Sequence, residues 1–223
     1  MTEPAVPESL RAEIARTLEP VRPLPPPGRR VAALVPVAAL LLATVPLVWG
    51  LRFDAADLGA LRLWAGSALQ IGVALAVLAA ALAESVPGRL RGPAGLAARM
   101  ALGLGFMVAL TCLTFLASPT HVPPLSELGY FRTCLTRSFA LGMLPLAVTG
   151  ALLGRGLATR PVVAGAMAGL GAGLVADSSW RLYCEVSDPV HVLTAHAGAI
   201  AALSLVGALA GGLAGARKPG RRA

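Results

Sequence analysis

Polar and apolar positions along this chain separate into long blocks. Six apolar stretches cover residues 31–50, 63–86, 99–118, 138–154, 161–180 and 192–215, parted by short polar segments. Each is about 17–25 residues, the length that crosses ~30 Å of hydrocarbon at ~1.5 Å per residue. Apolar residues run all round each helical wheel instead of along one stripe, as lipid exposure demands. The short alternating segments of a membrane β-barrel are not visible. The pattern predicts an all-α polytopic membrane protein with six transmembrane helices. The fourth stretch is the shortest and is interrupted by Pro145, and Pro36 and Pro46 lie in the first. Membrane helices accommodate such breaks because neighbouring groups satisfy the freed backbone.

Composition agrees. Of 223 residues, 56% are hydrophobic, 4% aromatic and 13% charged, so the apolar excess is aliphatic. That charged fraction is about half the ~25% of a soluble domain. A soluble chain of this size could not hide so much aliphatic surface. The balance argues against a soluble enzyme, a disordered protein and a disulfide scaffold.

Charge sets the orientation. Fourteen of the 19 Lys and Arg fall before the first stretch, in the second and fourth connections, at the very start of the third stretch (Arg99), or after the sixth. The other five are Arg52, Arg62, Arg132, Arg137 and Arg181. Basic residues favour the cytoplasmic side, so both termini are predicted to be cytoplasmic. The chain then divides into a cytoplasmic tail with a short helix and a Pro-rich linker (1–30), a six-helix transmembrane domain (31–215) and a basic cytoplasmic tail (216–223). The same split explains the net charge of +8. Basic residues scattered among short loops do not make a nucleic-acid surface. Trp49, Trp64 and Trp180, with Phe53, Tyr130, Phe131 and Tyr183, fall at the predicted outer ends, where amphipathic rings favour the headgroup level. The first 30 residues carry both charge signs and many prolines without an apolar core, so no secretory signal peptide is expected and the first span is retained.

Chemistry is sparse. Glu84 and Asp177 are expected near opposite surfaces, paired or snorkelling; Arg181 follows Asp177 by the four residues of a helical ion pair. No span presents the chain of charges that marks a transport path. Phosphate loops, zinc-protease helices and nucleophile elbows are missing, so no enzyme is expected. Gly165, Gly169 and Gly173 in the fifth stretch, and Gly207, Gly211 and Gly215 in the sixth, recur every four residues. Small residues at that spacing let two helices approach closely.

Three cysteines remain. Cys112 lies inside the third stretch and reads as a small buried hydrophobe. Cys134 and Cys184 fall in the third and fifth connections, both outer, either as a functional pair or as two thiols that never meet. With His191 and His196, and with Asp188 and His121 at the same level, they could hold a thiophilic metal, arriving as a transient signal and not as a resident cofactor. His191 and His196 are five apart, which on an α-helix puts them on different faces.

The tail is the other unusual feature. Residues 8–19 read as a short helix with Leu10, Ile14 and Leu18 on one face, followed by a proline-rich run that acts as an extended spacer. A helix this short is marginal alone, so its apolar stripe suggests folding onto a partner.

The tail "LRAEIARTLEPVRPLPPPGRR" running into a first span resembles the start of the NrsF-type membrane anti-sigma factors. The later "RPVVAGAMAGLGAGLVADSSWRLYCEVSDPVHVLTAH" is similar too, with its Arg-Pro start, Gly/Ala-rich fifth span, Cys before an acidic loop and His-bearing sixth helix. The resemblance covers most of the chain. It implies a multi-pass protein of the bacterial inner membrane that holds an extracytoplasmic-function sigma factor inactive, in contact with lipid but not with nucleic acid. It also implies that Cys134 and Cys184 take part in sensing a redox or metal stress. Leu10, Arg11, Ile14, Arg16, Leu18, Val21 and Arg22 are then the expected contacts to the sigma factor. Two other classes compete: a small transporter or channel, and a membrane thiol oxidoreductase. The first lacks mid-membrane charges, and the second lacks a Cys-x-x-Cys pair.

Overall fold

The computed structural model describes residues 7–17, 23–86, 92–121 and 127–216, and all regular structure among them is helical. The helices are α1 (Glu8–Thr17), α2 (Pro27–Ala32), α3 (Val35–Trp49), α4 (Ala55–Leu58), α5 (Ala60–Ala83), α6 (Pro93–Ala117), α7 (Glu127–Gly154), α8 (Pro161–Trp180), α9 (Pro189–His191) and α10 (Ala197–Ala216); a π-helical turn, Val192–His196, joins α9 to α10. Six of these segments are long and apolar enough to cross a membrane: α2 with α3, then α5, α6, α7, α8, and α9 through α10. Pro27, Pro93, Pro161 and Pro189 stand in the first turns of their helices, where a missing N–H breaks no bond. Gly50 and Gly59 flank α4 with φ of 89° and 79°, which side chains rarely adopt.

The fourth span departs from the hydropathy reading. Instead of a short segment from 138, α7 runs from Glu127 to Gly154 and continues through Pro145. The polar start of α7 hides its face. Cys134, Ser138, Gly142, Pro145, Leu146 and Thr149 are buried at helical spacing, whereas Arg132, Thr133 and Thr136 point outward. Hydropathy averages over both faces and so loses the first turns.

At the centre stands α8, buried along almost its whole length by α10, α5 and α7, with α3 and α6 also touching it. Its glycines explain how. A Cβ on Gly165 would fall on the carbonyl of Gly207, and one on Gly169 on the carbonyl of Leu203. Reciprocally, a Cβ on Gly207 would meet the carbonyl of Gly165, and one on Gly211 the carbonyl of Pro161. Gly173 lies against Ile200, and Gly215 against the ring of Pro161. Backbone therefore meets backbone along α8 and α10, the packing that small residues allow in lipid.

Both ends are tied by polar contacts. At one end, the Arg52 guanidinium binds Asp54 and donates to the carbonyl of Glu185 at 3.1 Å, while its backbone N–H reaches Leu182 O at 2.9 Å. Ser118 donates to Asp54 at 2.7 Å, and Tyr130 to Glu185 at 2.8 Å. Burial alone would raise the Asp54 carboxyl, but the hydrogen bonds from Arg52 and Ser118 and the Arg52 charge outweigh it and hold it below its ordinary range. At the other end, buried Glu84 pairs with Arg160, and buried Arg30 donates to Ser85 Oγ at 2.9 Å and to the carbonyl of Leu152. Glu84 is thus paired, but it lies inside the bundle with no exposure and does not snorkel.

Two further expectations are corrected. Trp180 is not a headgroup anchor: it is buried between Trp49 and Tyr183, with ring centroids 5.5 and 4.9 Å away. Nor is Cys112 buried; it is exposed on α6. In each case the helix phase, which composition does not report, decides the face.

A buried thiol–imidazole cluster as the candidate functional site

Two segments fifty residues apart bring Cys134 and Cys184 together. Cys134 lies within α7, not in a connection as the hydropathy pattern implies. Cys184 follows α8, fixed by a tight turn in which its N–H donates to Trp180 O at 2.9 Å. The two Sγ atoms are 3.5 Å apart, and both residues are buried with Val45, Trp180, Val186 and Ala195. Its hydrogen bond with Cys134, reinforced by burial, pushes the Cys184 thiol above the ordinary range.

The chain then runs extended to Asp188, whose carboxylate caps α9 by accepting from Val190 N–H at 2.7 Å. Asp188 also pairs with His121 Nδ1 at 2.7 Å, and the hydrogen bond from His121, opposed by burial, holds its carboxyl below the usual value. This pair is largely exposed and fastens the segment before α7 to the start of the sixth span. Asp188 and His121 therefore do not join the thiols.

His191 and His196 do, against the expectation from their spacing. In the π turn the Ala197 N–H reaches back five residues to Val192 O. One π turn returns a side chain to the same face after about 4.4 residues instead of 3.6, so a separation of five becomes a shared face. The two imidazoles stand 5.7 Å apart, edge to face. His191 Nε2 lies 3.9 Å from Cys184 Sγ. One donor atom each from Cys134, Cys184, His191 and His196 fits within 4.8 Å of the other three, and all four residues are buried.

Behind the imidazoles lies a polar shell that the sequence reading placed at the surface. Asp177 has no exposure, and three donors converge on its carboxylate. His196 Nδ1 lies 2.7 Å from Oδ1, Arg181 Nη2 lies 3.3 Å from Oδ2, and Gln70 Nε2 donates to Oδ2. Arg181 in turn donates to Thr111 at 3.1 Å. The ionised carboxylate accepts, so Nδ1 is the nitrogen that donates to Asp177, and Nε2 is left on the opposite side of the ring. That buried Nε2 has no hydrogen-bond partner among the described residues, a state costing about 1–3 kcal/mol if nothing fills it. Gln70 and Thr111 were missed. The available signal was Gln70, the sole glutamine of the chain, placed inside an otherwise apolar span.

The other expected surface is on α1, where every residue is exposed. Leu10 and Ile14 lie on one face at 50% and 45% exposure, so the stripe is unspent. Arg11 is exposed beside them, and Arg16 pairs with Glu13 at 2.6 Å. Leu18, Val21 and Arg22 lie outside the described residues.

The family model described as "NrsF: Negative regulator of sigma F" matches residues 14–214. The chain belongs to the NrsF family. The match takes in the first five spans, the sixth as far as residue 214, the thiol–imidazole cluster and α1 from Ile14 onward. As a family member the chain is a negative regulator of a sigma factor in a multi-pass membrane setting. No curated protein and no solved structure matches it.

Proposed function

We propose that this NrsF-family chain sequesters an extracytoplasmic-function sigma factor at the cytoplasmic face of a bacterial inner membrane. It releases the factor when a redox or metal stress reaches Cys134 and Cys184 from the periplasm. The observation that carries the sensing half is the 3.5 Å approach of the two thiols. They come from α7 and from the turn after α8, so any bond or bridge between them ties two spans together. The sequestering half is supported by the family and by the unspent apolar face of α1. This reading assigns the chain no catalytic step. The basic residues, gathered on the side of the tail, support cytoplasmic termini.

Two measurements test it. A reporter fused after residue 223 reads as cytoplasmic; a periplasmic signal there puts the tail out of reach of any sigma factor and sinks the proposal. Replacing either Cys134 or Cys184 with Ser abolishes the rise in sigma-dependent transcription under oxidant or cadmium, while basal repression stays. If both single variants still respond like the parent, the thiols are bystanders and the signal enters elsewhere.

A further inference from the structure

We infer that Cys134, Cys184, His191 and His196 form a closed four-ligand site for a thiophilic divalent cation of the zinc–cadmium class, with Asp177 as the positioning residue that makes His196 a ligand. The inference rests on the proposed sensing role of the thiols and narrows it to metal coordination.

Distance favours a cation over a disulfide. Bonds of ~2.0–2.3 Å in a tetrahedral site separate neighbouring ligand atoms by roughly 3.3–3.8 Å. The Sγ–Sγ distance of 3.5 Å and the Sγ–Nε2 distance of 3.9 Å are already near those edges. A disulfide needs ~2.05 Å between the sulfurs, so both side chains would have to move much further. Two thiolates and two imidazoles also match the donor preference of closed zinc-type sites.

The second observation is the orphaned nitrogen. Asp177 engages His196 through Nδ1, and the buried Nε2 on the other side of the ring has no partner among the described residues. Metal-bound histidines characteristically lend their other ring N–H to a carboxylate in this way. Here the carboxylate is itself held by Gln70 from α5 and Arg181 after α8. The π turn adds the remaining imidazole, because an unbroken α-helix would turn His191 away.

Charge closes the argument. Asp177 and Arg181 offset each other, so the donor set must neutralise the cation by itself. A divalent ion entering takes the place of the protons held by its donor atoms: each S–H bond that breaks is replaced by a metal–sulfur bond, the protons leave to solvent, and no electrons are transferred. The product is neutral, as burial away from water requires.

The test uses the full chain, purified in detergent and stripped with a chelator. Cadmium binds one equivalent, gives a thiolate-to-metal absorption band and releases protons into a weakly buffered solution. Cobalt in the same site gives the visible bands of a tetrahedral complex. Asp177→Asn keeps the thiolate band and weakens binding by about 10–100-fold; His196→Gln removes the tetrahedral cobalt spectrum. Should Asp177→Asn fail to fold, the His196→Gln titration decides alone. Unchanged affinity and spectrum in His196→Gln overturn the four-ligand site. No binding in the parent overturns it too, yet the sensing proposal survives if Cys134→Ser still abolishes the response to oxidant. Metal binding with full induction in both cysteine variants has the opposite meaning: the site stands and the sensing role falls.

Discussion

Replacing Leu10 and Ile14 together with Asp frees the sigma factor without removing the protein from the membrane. All of α1 is exposed, and these two side chains are its largest apolar groups. A helix of 10 residues is marginal alone and gains its order from whatever covers its stripe. Burying each anchor is worth ~1.5–3 kcal/mol. Losing both therefore weakens binding by roughly two to four powers of ten, at 1.4 kcal/mol for each factor of ten. The spans are untouched, so insertion is unchanged. Co-purification of the sigma factor with the solubilised variant, and its transcription in unstressed cells, read the effect. Retained co-purification and silent transcription would move the binding surface off α1, with the connection between α5 and α6 and its Arg89 and Arg91 as the next place to look.

The largest effect on stability is expected at Gly169. A Cβ there meets the carbonyl of Leu203 and comes 2.5 Å from the Cα of Ser204. The obstacle is backbone, so no rotamer change relieves it, and α8 must part from α10. Gly169→Leu is expected to cost about 3 kcal/mol or more, the upper end of overpacking in a core. The loss appears as a lower unfolding temperature in detergent and as poor accumulation in the membrane. Gly105→Ala is the control: nothing lies within 4 Å of its added Cβ, and Ala is the better helix former. A Gly169→Leu protein as stable as this control would show that the two helices do not need their close approach.

The spans were legible because hydropathy over ~20 residues reports burial in lipid with little regard to helix phase. Phase is what the site depends on, and hydropathy does not carry it at three places. The amphipathic first turns of α7 average to a polar segment, which puts Cys134 in a connection on hydropathy alone. The π turn is a local change of pitch with no compositional signature, so α-helical spacing separates His191 from His196. Spacing makes Asp177 an interfacial carboxylate paired with Arg181, since its other partners, Gln70 on α5 and His196 in the sixth span, are 107 and 19 residues away in sequence. Only Arg181 is visible from spacing.

Arg30 has a consequence beyond anchoring. It follows the linker from α1 and is fastened to the carbonyl of Leu152 near one end of α7, while Cys134 lies near the other end of the same helix. Eighteen residues of helix separate the two points, about 27 Å at 1.5 Å per residue. If stress at the thiols loosens the grip on the sigma factor through this rod, the coupling is reciprocal: a bound sigma factor lowers the affinity of the thiols for the stress signal by the same factor. The threshold of the response then belongs to the pair and not to the sensor. A cell that makes more sigma factor raises the dose needed to release it, and one that makes less becomes more easily alarmed.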